Sequence, residues 1–204
     1  MPVRSTAVPS TSTRRMLLRR GLMLEYLTLS WNFVGVVVLI AAAVPAGSVA
    51  LAGFGLDSLV EIGASTVVIW QLNDRSQSRE RRALRLIGAT FIALAIYIAA
   101  QAAFTLITAS HPQQSTLGII WTAATCGVML ALARGKARTG KALGNRVLQT
   151  EGRVTLIDAY LAAAVLLGLI LNATAGFWWA DPLAGLVIVY YGLHEGRQAL
   201  RPER

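Results

Sequence analysis

Three acidic residues stand where hydrocarbon would give an ionised carboxylate no water: Asp57 and Glu61 in one apolar run, and Asp158 in another. A charged group near the centre of a bilayer costs about 2.5–3.5 kcal/mol on insertion scales. Asp57 and Glu61 are four residues apart, about 40° around a helix, so both carboxylates share one face. Like charges stacked in this way repel unless one is protonated or a cation lies between them. No Lys or Arg falls in the middle of an apolar run to act as counter-ion. Asp158 lies about one turn into its helix, so a third carboxylate is expected at the same depth. The chemistry that fits is a cation site of oxygen ligands, suited to hard or borderline divalent metals and coupled to protons. For one isolated acid, a protonated carboxyl that only packs helices is an equal alternative; three acids without a basic partner favour the cation site.

Other polar residues carry less. Glu25 and Asn32 are seven apart, hence on one face of the first helix, and Glu151 lies two turns before Asp158 on the same face. All three are candidate ion-path residues, Glu151 at the cytoplasmic mouth, with a solvated or interfacial position as the plainer alternative. Asp181 followed by Pro182 reads as a helix start. Cys126 reads as a small packing residue, and His111 and His194 as surface residues. Ala95, Ala99 and Ala103 repeat at the spacing that lets helices approach closely, a contact that could lie between protomers. The pairs Trp178–Trp179 and Tyr190–Tyr191 bracket the last apolar run as interfacial aromatics do.

The elements that must position the acids follow from composition. Of 204 residues, 55% are hydrophobic and 14% charged, with a mean hydropathy of +0.56. A soluble domain carries about 25% charged residues. Six segments, 24–44, 48–72, 84–109, 117–133, 154–175 and 182–193, are long and apolar enough, or nearly so, to cross a bilayer as helices. The expected fold is therefore an all-α membrane protein with six transmembrane helices. The net charge of +9 does not call for nucleic acid. All 19 Lys and Arg fall before the first segment, after the sixth, or in the second and fourth connections, counting Arg85 at the very start of the third segment, so both termini are expected in the cytoplasm. The localisation expected is a plasma or inner membrane, with anionic lipid against the basic rim. A single cysteine excludes a disulfide scaffold. No nucleophile–base pair or cofactor motif points to an enzyme, and no cofactor is expected. The domains expected are a disordered basic tail over 1–21, a six-helix transporter domain over 22–197 and a short cytoplasmic tail over 198–204. Residues 139–151 read as the longest polar connection, extending the fifth helix into the cytoplasm.

Residues 47–61, GSVALAGFGLDSLVE, resemble the second helix of the cation diffusion facilitators, where an acid or His, three spacers and an Asp bind a divalent metal. Val154-Thr-Leu-Ile-Asp158 is similar to the partner motif of their fifth helix, and Trp179-Ala-Asp181-Pro182-Leu183-Ala184 to the start of their sixth. The resemblance spans about residues 22–197. It implies Asp57, Glu61 and Asp158 as the metal site of a homodimeric divalent-cation exporter driven by proton antiport. Zinc is the first cargo it implies, with manganese, iron or cobalt behind. The chain departs from the pattern at Val154, where the family commonly has His, and at Glu61, where it has Asp. The family's cytoplasmic metal-sensing domain is not expected after residue 197. A metal-binding membrane sensor or accessory subunit that does not transport, and an exporter of small organic cations, are the alternatives.

Overall fold

The structure is a computed structural model and describes residues 11–73, 77–109 and 111–200. Those residues form six α-helices: α1 (Thr11–Ala46), α2 (Val49–Asn73), α3 (Gln77–Ile107), α4 (Thr116–Leu143), α5 (Arg146–Ala175) and α6 (Ala180–Leu200). Four stretches, Ser12–Ala46, Val49–Trp70, Thr116–Leu143 and Arg146–Ala175, are long and apolar enough to cross a membrane, and Phe91–Ile107 is a shorter apolar stretch. The chain is a multi-pass integral membrane protein. Large apolar side chains such as Phe33, Val37, Ile96, Phe104, Ile120 and Leu167 face outward. In lipid such a surface meets its own solvent, and the helices satisfy their backbone groups internally.

Helix ends extend beyond the apolar runs. α1 begins at Thr11, inside the stretch expected to be a tail; residues 1–10 lie outside the described residues, as do 201–204 of the expected C-terminal tail. The polar stretch 139–151 is nearly all helix, with only Gly144 and Asn145 between α4 and α5. The reason is capping. Gly144 sits in the left-handed region (φ 61°) and its N–H closes α4 on Gly140 O and Lys141 O. The side chain of Asn145 accepts from Leu148 N at 2.9 Å and starts α5.

The helices associate as close pairs, α1 with α2, α3 with α6 and α4 with α5, and α2 also touches α3, α5 and α6. The main core, including Leu39, Leu51, Phe54, Ile98, Val165 and Ile188, lies around α2. On the other side α1 meets α4 through Trp31 stacked on Trp121 (4.8 Å between centroids), with Trp31 Nε1 donating to Thr125 Oγ1 at 3.2 Å. Small residues bring backbones together. A Cβ on Gly152 would come within 2.8 Å of Ala137 N on α4, and one on Gly196 within 2.9 Å of Gly88 O on α3. Ala95 is buried against Gly192 of α6, whereas Ala103 is exposed. The alanine repeat thus begins as a contact inside the chain.

Gly152→Leu is expected to force α4 from α5 and cost about 1–3 kcal/mol. Gly63→Ala, where a Cβ meets nothing within 4 Å, should leave stability unchanged or raise it by up to about 1 kcal/mol. Melting temperatures of the two variants in detergent check the contrast.

Candidate cation-binding site

The site begins at the start of α2. Ser48 Oγ accepts from Leu51 N at 3.1 Å, capping the helix. Asp181 then reaches across from α6: its carboxylate accepts from Ser48 Oγ and, at 3.1 Å, from Ala50 N. Asp181 lies within the first turn of α6, so it caps α2 instead of its own helix. The consequence is register, since α2 and α6 start at the same end and run side by side. Glu61 lies 13 residues beyond Ser48, about 20 Å along α2. Both ends of the 25-residue helix are distant from it.

Asp57 and Glu61 of α2 and Asp158 of α5 are each at most 2% exposed and border one narrow pocket, of volume ≈ 10 Å³, together with Val154, Tyr191 and Glu195. Among the described residues, Oε1 of Glu61 and both oxygens of Asp158 are buried with no donor beside them other than the carboxyl of Asp57 next to Asp158. Glu61 Oε2 accepts from Asn32 Nδ2 at 2.7 Å, and the same nitrogen donates to Thr28 O at 3.1 Å. Asn32 therefore orients Glu61 from α1. Val154 brings an apolar wall one turn before Asp158, where a histidine would have brought a nitrogen. Among the described residues, no three His, Cys, Asp or Glu side chains are gathered closely enough to hold a metal ion. The three carboxylates share a pocket without forming a closed ligand set, and the carboxyls of Asp57 and Asp158 approach within hydrogen-bonding reach of each other, as two such groups do when they share a proton.

The remaining acids behave differently. Lys136 of α4 is fully buried, and its ammonium lies 3.1 Å from Glu25 Oε2 and 3.2 Å from Glu151 Oε1, with Thr155 Oγ1 accepting at 3.1 Å. Glu25 and Glu151 are themselves buried. This corrects two expectations. A basic residue does stand inside the bundle, and the charges do not all lie on a solvated rim. α4 continues as a packed helix past Ala133, and close approach at Gly152 seats α5 against the Lys136 stem, whose Cβ is 3.2 Å from where a Gly152 Cβ would be. Glu25 and Glu151 are neither solvated nor interfacial; they form an ion triad joining α1, α4 and α5. Glu195 was not singled out in the sequence, because its neighbours His194 and Arg197 make it read as part of a solvated helix end. Its spacing from Tyr191, one turn back on the same face, was the available signal.

Residues 85–203 match the cation efflux transmembrane domain family. The match takes in Asp158 and Asp181, while Asp57 and Glu61 precede it. The chain is 24% identical over 186 residues to transmembrane protein 163 of Xenopus laevis, covering 86% of this chain and 66% of that protein. It is 33% identical over 86 residues to the cation-efflux pump FieF of Shewanella oneidensis, covering 42% of this chain and 29% of the pump. The chain thus spans just under two thirds of the first relative and less than a third of the second.

Lys136→Met strands two buried carboxylates and is expected to cost about 3–5 kcal/mol. Adding Glu25→Gln and Glu151→Gln should restore most of that loss, because the partners then carry no charge to leave unanswered. Thermal unfolding of the single and triple variants reads both; an unaltered melting temperature for Lys136→Met would show that the triad contributes nothing.

Proposed function

The chain belongs to the cation efflux transmembrane domain family, and on that premise we propose that it exports a divalent metal cation by exchanging it for protons at Asp57, Glu61 and Asp158. The observation that carries this reading is the contrast between two sets of buried acids. Glu25 and Glu151 have a resident ammonium. Asp158, by contrast, has no ion-pair partner among the described residues and shares its pocket with two further acids, Asp57 and Glu61. An unanswered buried carboxylate is expensive to keep unless a cation or proton comes and goes there.

Cation binding and protonation at such a site exclude each other, because each neutralises the same oxygens. Loading on one side of the membrane would therefore release protons, and unloading on the other would take them up. The pocket volume of ≈ 10 Å³ fits an inorganic ion or a water and is far too small for an organic cation. Zinc is the first cargo of this reading, with manganese, iron and cobalt behind, since an all-oxygen site without the nitrogen a histidine would supply favours zinc less strongly. The cytoplasmic side is the end carrying the N-terminus of α1, the α4–α5 link and the C-terminus of α6, by the distribution of Lys and Arg. The working unit is a homodimer with anionic lipid at its basic rim.

Zinc flux into inverted vesicles is expected for the unaltered chain and to fall at least about tenfold with Asp57→Ala, in step with lost transition-state or ground-state ligation. Saturable zinc binding in detergent, measured by titration calorimetry, should be lost in the same variant. Equal flux in both proteins would remove Asp57 from the site, and binding without flux in the unaltered chain would make it a metal-binding protein that does not transport.

A further inference from the structure

Two groups of acids flank the buried carboxylates, and the bundle treats them differently. On the side of α1 and α4, Glu25 and Glu151 hold Lys136 between them, so a second cation arriving there would meet an ammonium. A like charge held in a low-dielectric interior repels an approaching cation more strongly than the same charge in water. On the side of α3 and α6, the pocket bordered by Asp158 is lined also by Tyr191 and Glu195. Glu195 is half-buried. Measured from Asp181, it lies 14 residues or about 21 Å along α6, which brings it close to the level of Glu61 on the neighbouring helix.

We propose that the cation reaches its carboxylates through the α3–α5–α6 side of the bundle with Glu195 as the acid at the mouth, while the Lys136 triad closes the α1–α4–α5 side. This rests on the reading of Asp57, Glu61 and Asp158 as a transport site. It reverses the role expected of Glu25 and Glu151: they seal the bundle and do not guide ions. Glu195 attracts the cation into a passage walled mainly by apolar side chains such as Phe91, Leu94 and Ile188. A carboxylate in that position raises the local cation concentration and the rate of loading, and salt screens the effect. His194 and, less strongly, Arg153 on α5 act on Glu195 with the opposite sign and temper how strongly the mouth attracts.

The test is zinc flux into proteoliposomes at about 0.01 M and about 1 M ionic strength, where charges act over about 30 Å and about 3 Å. Glu195→Lys is expected to lower kcat/KM about tenfold or more at low salt and much less at high salt. Glu195→Asp should retain most of the rate, and Arg153→Gln should raise it, again mainly at low salt. Glu195→Gln should keep the saturable zinc binding that Asp57→Ala loses. Flux of Glu195→Lys equal to the unaltered chain at both ionic strengths overturns the route, as does a loss that salt does not relieve and that is accompanied by loss of zinc binding in Glu195→Gln. Equal flux in Asp57→Ala and the unaltered chain overturns the transport reading itself, whatever the Glu195 variants do.

Discussion

The ammonium of Lys136, held between Glu25 and Glu151, is the interaction on which the rest of the bundle is arranged. Taking any one of these charges out of water is costly, and their mutual attraction offsets the cost only when all three arrive together. Their meeting therefore specifies how α1, α4 and α5 come together at this depth. It also divides the buried acids. Two have a permanent cationic partner and belong to the architecture. Three border a pocket and have no ion-pair partner among the described residues. Buried acid alone would not identify a site; buried acid left unanswered beside buried acid that is answered does.

The second constraint is registration of the two parallel helices α2 and α6. Asp181 satisfies the hydroxyl of Ser48 and a free N–H at the start of α2, groups that a membrane helix end cannot leave to water. The same bond sets where Tyr191 and Glu195 fall relative to Glu61. A structural cap at one end of the bundle thereby determines which residues of α6 border the pocket about 20 Å away. Asn32 makes the corresponding link from α1, fixing one oxygen of Glu61 and leaving the other toward the pocket.

Much of this is visible in the amino-acid order. The apolar runs mark the helices, and Asp57, Glu61 and Asp158 stand out because hydrocarbon penalises charge and nothing nearby in the chain answers them. Lys136 was hidden for the same reason. Ending a span at the first basic residues, Arg134 and Lys136, assigns both to water, whereas α4 continues to Leu143 and points the two side chains in different directions. Arg134 is exposed and Lys136 is buried. Partners 111 and 15 residues away cannot be read from local spacing. Asp181 shows the same limit: Asp before Pro marks a helix start correctly, but the helix whose N–H it accepts is another one. Glu195 lies among charged neighbours near a helix end, and only the packing of α6 on α2 and α5 brings it to the pocket.

The anchoring of α6 at Asp181 has a mechanical consequence. The close backbone contacts between α5 and α6, Gly168 against Ala180 and Ala184, lie at that same end. Toward its other end α6 is backed by α3 across Gly192 and Gly196, where its backbone approaches Phe91 O, Gly88 O, Ala95 and Ile92. The helix is thus a lever with its pivot at Asp181 and its long arm toward Glu195. A tilt of about 10° about that pivot moves Glu195 by about 4 Å, given an arm of about 21 Å, while the groups around the pivot barely shift. A rotation that small is enough to widen or pinch a passage the width of one ion.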